Sequence, residues 1–200
     1  MHLIDTINIH RYHTDKIEKY GHHTPRALGW SVPEAQYIRY EILSHIADLS
    51  NSSVLDAGCG HGDLCEFLNS KFTGIRYFGI DCNEGFIDMA IQKQSHIADT
   101  AFFHGDFTQS SLPVTDYILL CGSLNYSNTN PNHTTDAITS LFKSCRIGLG
   151  FNMLSAVDNP ESFLVSHNSA QIMAFCQTLS NNVILRENYL EGDFTVFMYH

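Results

Sequence analysis

Three glycines at alternate positions follow a short apolar segment near residue 54, and this pattern constrains the fold more than any other. Residues 54–64 read Val-Leu-Asp-Ala-Gly-Cys-Gly-His-Gly-Asp-Leu. Glycine permits a sharp turn with positive φ and lets a ligand approach the backbone without meeting a Cβ atom. The N-terminus of a following helix offers free N–H groups to an anionic ligand. The segment therefore predicts a strand, a ligand-binding loop and a helix in succession.

The spacing of these glycines argues against a dinucleotide-binding loop. The G-x-G-x-x-G fingerprint would begin at Gly58 and Gly60 and would need its third glycine at position 63. Position 63 is an aspartate, and the third glycine is Gly62. A nicotinamide-dependent oxidoreductase is therefore a disfavoured alternative. Tight binding of NAD, without binding of other nucleoside cofactors, would support it.

Three later strand patterns each end in residues suited to a ligand site. Residues 77–81 end in Asp81, residues 101–107 contain Gly-Asp-Phe, and residues 117–123 run from an apolar segment into Cys-Gly-Ser. Together with the glycine loop, and in this order, these motifs resemble those of the class I S-adenosylmethionine (SAM)-dependent methyltransferases over roughly residues 53–200. The resemblance implies an α/β fold with a doubly wound, Rossmann-like, seven-stranded sheet that is mostly parallel and has an antiparallel last strand.

The resemblance also implies how SAM would be bound. Asp56 would hold the amino group, Asp81 would accept both ribose hydroxyls through its two carboxylate oxygens, and Asp106 would accept from the adenine amino group. The expected cofactor-binding residues are Asp56, Gly58, Cys59, Gly60, Asp81, Cys82, Asp106, Phe107, Cys121 and Gly122.

Strand and helix patterns alternate from about residue 53, which is typical of a parallel sheet with helices on both faces. The apolar stretches 183–185 and 194–199 are separated by a segment containing Gly192, and this arrangement predicts an antiparallel hairpin. We assign residues 51–200 to the methyltransferase-like domain.

The first fifty residues lie outside this pattern and are predicted to form a helical arm. Ser31, Pro33 and Glu34 make a capping-box signature, so a helix should follow. The apolar residues expected on the packed face of that helix are Ala35, Ile38, Ile42, Ile46 and Leu49.

Several aromatic and polar residues are candidates for contact with the acceptor. Tyr12, Tyr20 and Trp30 lie in the arm, where a lid over SAM and simple packing are equally compatible with the sequence. Asn125 and Tyr126 follow the fourth predicted strand. Little chain is left for recognising the acceptor, which favours a small molecule, such as a small acid, over a protein or a nucleic-acid duplex.

Methyl transfer from a sulfonium depends mainly on positioning, and a base is needed only when the acceptor must lose a proton. Candidate bases at strand ends are His61, His104, His133 and Tyr126, and the sequence favours none of them. The Asn/Asp-Pro-Pro-aromatic motif of nucleobase and glutamine methyltransferases is absent from residues 121–126, so these acceptors are disfavoured. A protein that binds SAM or S-adenosylhomocysteine without transfer is the second alternative.

The composition limits which classes of partner and which cellular compartment are expected. Eleven basic and 21 acidic residues give a net charge of −10 without a basic run, which disfavours nucleic acid. No run of 18 apolar residues and no secretory leader pattern is present, so a cytosolic protein with reduced thiols is expected. Cys59, Cys82 and Cys121 could approach one another, but no C-x-x-C or H-E-x-x-H spacing occurs and no metal is expected.

Overall fold

Seven strands form one sheet in the computed structural model of the protein, which describes residues 1–30, 33–157 and 163–200. Their order is β3-β2-β1-β4-β5-β7-β6. Strands β1 to β5 pair in parallel, whereas β7 runs antiparallel to both β5 and β6. The predicted sheet with its antiparallel last strand is thus confirmed. The strands are β1 Ser53–Ala57, β2 Arg76–Asp81, β3 Thr100–His104, β4 Thr115–Cys121, β5 Cys145–Leu154, β6 Asn182–Arg186 and β7 Asp193–Tyr199.

Six α-helices and one short 3₁₀ helix are found in the described residues. Asn83 and Asn168 cap two of the α-helices, because their side-chain oxygens accept from backbone N–H groups in the first turn. Ser31, the predicted cap of α2, lies outside the described residues. None of these helices combines the length and apolar character that crossing a membrane requires. The helices are α1 Leu3–Tyr20, the 3₁₀ helix Pro25–Leu28, α2 Pro33–Ser44, α3 Asp63–Lys71, α4 Glu84–Gln94, α5 His133–Ser144 and α6 Ser169–Leu179.

Two hydrophobic clusters cover the two faces of the sheet. In one cluster, Ile138 of α5 and Cys176 of α6 pack against strand residues. In the other, Leu43 of α2 and Leu68 of α3 pack against the opposite face. A fully buried side chain of leucine size contributes about 1.5–3 kcal/mol through removal from water. The doubly wound arrangement therefore rests on a core that is divided by the sheet.

The predicted packed face of α2 is wrong at Ile38. Ile38 is 36% exposed, whereas Gln36 and Arg39 are only 5% and 8% exposed. The helix turns these two polar residues inward because both find partners there: Gln36 donates to the Tyr40 hydroxyl at 2.6 Å, and Arg39 forms an ion pair with Asp193. Apolar spacing alone could not reveal those partners.

The arm is fixed against the loop that follows β4. Asp5 in α1 is 1% exposed and accepts from the Thr129 backbone N–H at 2.9 Å and from the Thr129 hydroxyl at 2.8 Å. Ile9 and His13 continue the buried face of α1 at four-residue spacing. A boundary at residue 50 stays a prediction, and α2 shares its hydrophobic cluster with the sheet.

Candidate functional site

A cavity of about 640 Å³ lies at the carboxyl ends of the parallel strands. Strands β1 and β4 are neighbours there, with β2 and β3 on one side and β5 on the other, so the order of strands reverses direction between β1 and β4. Ligands of doubly wound sheets bind at such a switch point. The predicted site residues that line the cavity are Tyr12, Trp30, Asp56, Gly58, Cys59, Gly60, Asp81, Cys82, Asp106, Phe107, Cys121, Gly122, Asn125 and Tyr126.

Tyr20 is the predicted site residue that the structure places elsewhere. It ends α1, and its ring faces the charged groups of Lys16, Lys19 and Arg26 at 5.1–5.8 Å. The cavity is lined from α1 by residues up to His13. Tyr20 lies seven residues further along, roughly 10 Å down the helix axis, and this distance carries it past the cavity.

The glycine loop brings backbone to the cavity wall. Gly58 and Gly60 have φ values of +85° and +53°, a region that favours glycine. The N–H groups of Gly58 and Cys59 both donate to the Ile80 carbonyl, at 2.8 and 3.1 Å. A Cβ atom at Gly58 would overlap the Cβ atom of Ser123. Close packing and backbone conformation thus both require glycine at position 58.

Asp56, at the end of β1, is a buried acid with one unpartnered oxygen. It is 1% exposed, and its Oδ2 accepts a hydrogen bond from the Tyr77 hydroxyl. Its Oδ1 is buried at the cavity and has no hydrogen-bond partner among residues 1–30, 33–157 and 163–200. Burial raises the pKa of Asp56 to about 7. Since an unpaired buried carboxylate is costly, a cationic ligand group would be strongly favoured beside it.

Asp81, at the end of β2, fastens the glycine loop. Its Oδ2 accepts from the Gly60 N–H and its Oδ1 from the Asn83 N–H, each at 2.9 Å. Burial raises the pKa of Asp81, although both N–H groups oppose this shift. Each carboxylate oxygen keeps a further lone pair. Asp81 can therefore accept hydrogen bonds from a ligand without giving up the loop.

Asp106 lies at another corner of the cavity. Its Oδ1 accepts from the backbone N–H and the hydroxyl of Thr108, at 2.8 and 2.7 Å. Its Oδ2 lies 2.9 Å from the amino group of Met1. The neighbouring Phe107 ring approaches the glycine loop at Gly58. Thr108 therefore orients one oxygen of the acid, and the Met1 amino group pairs with the other.

The opposite part of the cavity is formed by residues after β4 and by α2. The Trp30 ring packs over Gly122, and the Arg39 guanidinium lies 5.0 Å from the centre of that ring. The Gly122 N–H donates to Asn152 Oδ1 at 2.7 Å. The side-chain oxygen of Asn125 accepts from the backbone of β5 at 3.0 Å. This wall is therefore held by hydrogen bonds that link the loop after β4 to β5.

Two of the four candidate bases line the cavity, namely Tyr126 and His133. His61 is 4% exposed, packs its ring edge against Phe86 and has a pKa lowered to about 4 by burial. His104 is exposed and lies outside the cavity lining, with its Nε2 3.1 Å from the Cys82 carbonyl oxygen. The structure therefore retains Tyr126 and His133 as candidate bases, whereas the sequence favoured none of the four.

Sequence reasoning missed His13, Gln36 and Arg39, which all line the cavity from the arm. His13 is 5% exposed. The signal that could have found it is its spacing, since Asp5, Ile9 and His13 recur every four residues along one face of α1. Arg39 carries no comparable signal, because its partner Asp193 is 154 residues away.

The cysteines near the strand ends are thiols. Burial raises the pKa of Cys59 and Cys121, and raises that of Cys82 to about 12. In the part of the chain that the structure describes, no three His, Cys, Asp or Glu side chains are grouped so that they could hold a metal ion.

Comparison with known proteins agrees with this geometry. Residues 54–148 match the family described as a methyltransferase domain. A curated relative, the fatty-acid O-methyltransferase of Mycolicibacterium smegmatis, is 29% identical over 118 residues, which cover 52% of this chain and 43% of the relative. The chain thus spans less than half the length of that relative.

Solved structures share the fold over nearly the whole chain. Magnesium protoporphyrin IX methyltransferase of Synechocystis, solved with bound SAM, has a TM-score of 0.71 at 18% identity and covers 98% of this chain and 96% of its own. The 1,6-didemethyltoxoflavin N1-methyltransferase of Burkholderia thailandensis also has a TM-score of 0.71, at 14% identity, covering 95% of this chain and 89% of its own. Residues 54–148 therefore match a methyltransferase domain, and the chain has the fold of methyltransferases that were solved with bound SAM or S-adenosylhomocysteine.

Proposed function

We propose that this protein transfers a methyl group from SAM to a small-molecule acceptor. The observation that carries the proposal is the buried, unpartnered Oδ1 of Asp56 beside a loop where Gly58 cannot bear a side chain. Such a site suits a ligand whose cationic group lies beside Asp56 at the cavity wall. The amino group of SAM provides that cation, and the named activities of the relatives support the same cofactor.

The residues present fit SAM in a definite arrangement. Asp56 would accept from the amino group, the backbone of residues 58–60 would face the methionyl end, and Asp81 would accept from the ribose hydroxyls. Bound SAM supplies a methyl group that its sulfonium already activates. What the protein must add is placement of the acceptor in line with the carbon–sulfur bond, which can contribute several kcal/mol.

The remaining wall of the cavity would hold the acceptor. Trp30, Arg39, Asn125 and Tyr126 lie there, and a cavity of about 640 Å³ that is shared with SAM leaves room for a small molecule. A net charge of −10 supports this class over nucleic acid. The cytosol stays the predicted compartment.

Isothermal titration with SAM, S-adenosylhomocysteine and NAD tests the cofactor, with Asp81→Ala as the variant. We expect SAM affinity to fall at least tenfold, because hydrogen bonds to a charged group are worth about 1.5–3 kcal/mol each. Asp88→Ala is the matched control, since Asp88 is exposed on α4 and lies outside the cavity lining. It should bind SAM like the wild type.

Each outcome of this titration is informative. Absence of SAM binding by the wild type would contradict the proposal, and NAD binding alone would support an oxidoreductase. Transfer of a labelled methyl group is then measured with fatty acids, phenols and thiols. Fatty acids are included because of the name of the curated relative. SAM binding without transfer to any acceptor would favour the non-catalytic alternative.

The raised pKa of Asp56 predicts that SAM binds more weakly in acid. In the free protein this pKa is about 7, so the carboxyl group becomes protonated as the pH falls from 8 to 6. An ammonium group prefers the carboxylate, so affinity should drop by up to about tenfold for each pH unit below that pKa. Titration calorimetry at pH 6, 7 and 8 measures this. Asp56→Asn should bind weakly at each pH and flatten the dependence, whereas equal affinity of the wild type at pH 6 and pH 8 would contradict the prediction.

A further inference from the structure

His13 and Tyr126 share a hydrogen bond whose direction is fixed by their surroundings. Nδ1 of His13 lies 3.1 Å from the Ala27 carbonyl oxygen, and Nε2 lies 3.0 Å from the Tyr126 hydroxyl. A carbonyl oxygen can only accept, so Nδ1 carries the proton of the neutral ring. Nε2 then carries the lone pair, and the Tyr126 hydroxyl donates to it.

This direction leaves the Tyr126 oxygen able to accept at the wall of the cavity. Tyr126 lines the cavity, and its hydroxyl makes only the bond to His13 among the described residues. The loop that carries Tyr126 is anchored, because Asn125 bonds to the backbone of Leu154 and Val165 at 3.0 and 2.8 Å. His13 is 5% exposed, so bulk water does not compete for its lone pair.

We propose that Tyr126 and His13 form a proton relay for an acceptor that methylates at an O–H or N–H group. The inference rests on the proposed methyl transfer. Tyr126 is the group that touches the acceptor. His13 acts through Tyr126 and is a positioning and proton-holding residue.

The step balances in atoms and charge. The acceptor oxygen or nitrogen forms a bond to the methyl carbon, and the carbon–sulfur bond breaks with its electron pair remaining on sulfur. The acceptor proton passes to the Tyr126 oxygen while the Tyr126 proton passes to Nε2 of His13. The positive charge lost by the sulfonium thus reappears on the imidazolium, and no other reactant is needed.

The electrostatic surroundings of His13 suit this role. Burial lowers its pKa below 6.5, so the ring is neutral and able to accept a proton at neutral pH. The carboxylate of Asp81 favours the imidazolium formed in the step, and the Ala27 carbonyl already accepts from Nδ1. The titratable groups that face the ring are His10, Tyr12 and Lys16 of α1, His61 before α3, Asp81 at the end of β2 and Tyr126 after β4.

His133, the other candidate base at the cavity, lacks such an arrangement. Its pKa is lowered by burial, as is that of His13. Within the described residues, however, no hydrogen bond orients its ring, whereas both ring nitrogens of His13 are engaged. An oriented ring that presents its lone pair to a hydroxyl is what proton transfer requires.

A measurement without turnover tests the arrangement of protons. ¹⁵N NMR of the full chain bound to S-adenosylhomocysteine should show Nδ1 of His13 protonated and Nε2 unprotonated. Tyr126→Phe should move the Nε2 resonance and leave Nδ1 protonated. A proton on Nε2 in the wild type would overturn the proposal, because Tyr126 could not then donate to it.

Kinetics with a phenol and an aliphatic alcohol as probes tests the relay itself. Tyr126→Phe and His13→Gln should lower kcat about 10²- to 10⁴-fold, with SAM affinity within about twofold of the wild type. The wild-type kcat should also fall on the acid side as His13 becomes protonated, with an apparent pKa below 6.5, and this limb should vanish in both variants. Tyr37→Phe and His96→Gln, exposed and outside the cavity lining, are the controls.

The outcomes separate the relay from the proposed function. A kcat of Tyr126→Phe equal to that of the wild type would overturn the relay while leaving methyl transfer intact. Methyl transfer to carboxylates alone, at a rate that neither variant changes, would do the same. Failure of the wild type to bind SAM or to methylate any probe would overturn the proposed function, and the relay with it.

Discussion

Replacing Gly58 by alanine is expected to abolish SAM binding and to lower the free energy of unfolding by about 2–5 kcal/mol. A non-glycine residue in the left-handed region costs about 1–3 kcal/mol, and overpacking costs a similar amount. Both penalties apply, since φ is +85° and the new Cβ would overlap Ser123. Relief of the overlap would displace the loop that leads to Gly60, and Asp81 would lose its backbone donor there.

Urea unfolding and calorimetry with SAM measure the two effects of Gly58→Ala. Gly85→Ala is the matched control, because Gly85 lies in α4 and a Cβ atom there meets only Asn83 Oδ1 at 3.4 Å. Alanine favours a helix over glycine by about 0.5–1 kcal/mol, so the control should be neutral or stabilising and should keep its ligand. Normal SAM affinity in Gly58→Ala would show that the loop does not contact the cofactor.

Arg39→Met is expected to cost about 3–5 kcal/mol of stability, because it leaves a buried carboxylate without its cation. Nε and Nη2 of Arg39 both lie 2.6 Å from Asp193 Oδ2, and the two side chains are 9% and 1% exposed. Tyr189 still donates to Asp193, but a hydroxyl cannot neutralise the charge. In a chain of this size the melting temperature should fall by roughly 10 °C.

A double variant distinguishes loss of charge balance from loss of packing. Arg39→Met combined with Asp193→Leu should recover most of the stability, since replacing both members of a buried pair by apolar groups is often neutral. Lys71→Met is the control, because Lys71 pairs with Glu41 at the surface and such pairs are worth about 0–1 kcal/mol. Urea unfolding without ligand measures all three proteins. Equal stability of Arg39→Met and the wild type would contradict the role given to the pair.

The cavity wall at the strand ends could be predicted from sequence, because residues at the carboxyl ends of neighbouring parallel strands lie at the same edge of the sheet. Asp56 and Asp81 end neighbouring parallel strands, so both reach the same edge of the sheet. The glycine spacing reports a backbone conformation directly, and Gly58 and Gly60 both have positive φ. These signals are local, and tertiary packing did not alter them.

The wall contributed by the arm could not be predicted in the same way. Whether Arg39 or Ile38 faces inward depends on Asp193, which is distant in sequence and attracts the guanidinium inward. His13 depends similarly on Ala27 and Tyr126. Pattern reading assigns inward positions to apolar side chains, so it misplaces a helix that turns polar residues toward a ligand cavity.

The position of β7 between β5 and β6 has a consequence for the order of folding. Although β6 precedes β7 along the chain, β7 is its only neighbour in the sheet among the strands that the structure describes. Strand β6 therefore cannot join the sheet before β7 has paired with β5. Pairings between residues far apart in sequence form slowly, because the entropy of closing the loop is lost before the stabilising contacts form. We expect β6 and β7, which are antiparallel and adjacent in sequence, to associate as a hairpin first and to add to the parallel strands as one unit.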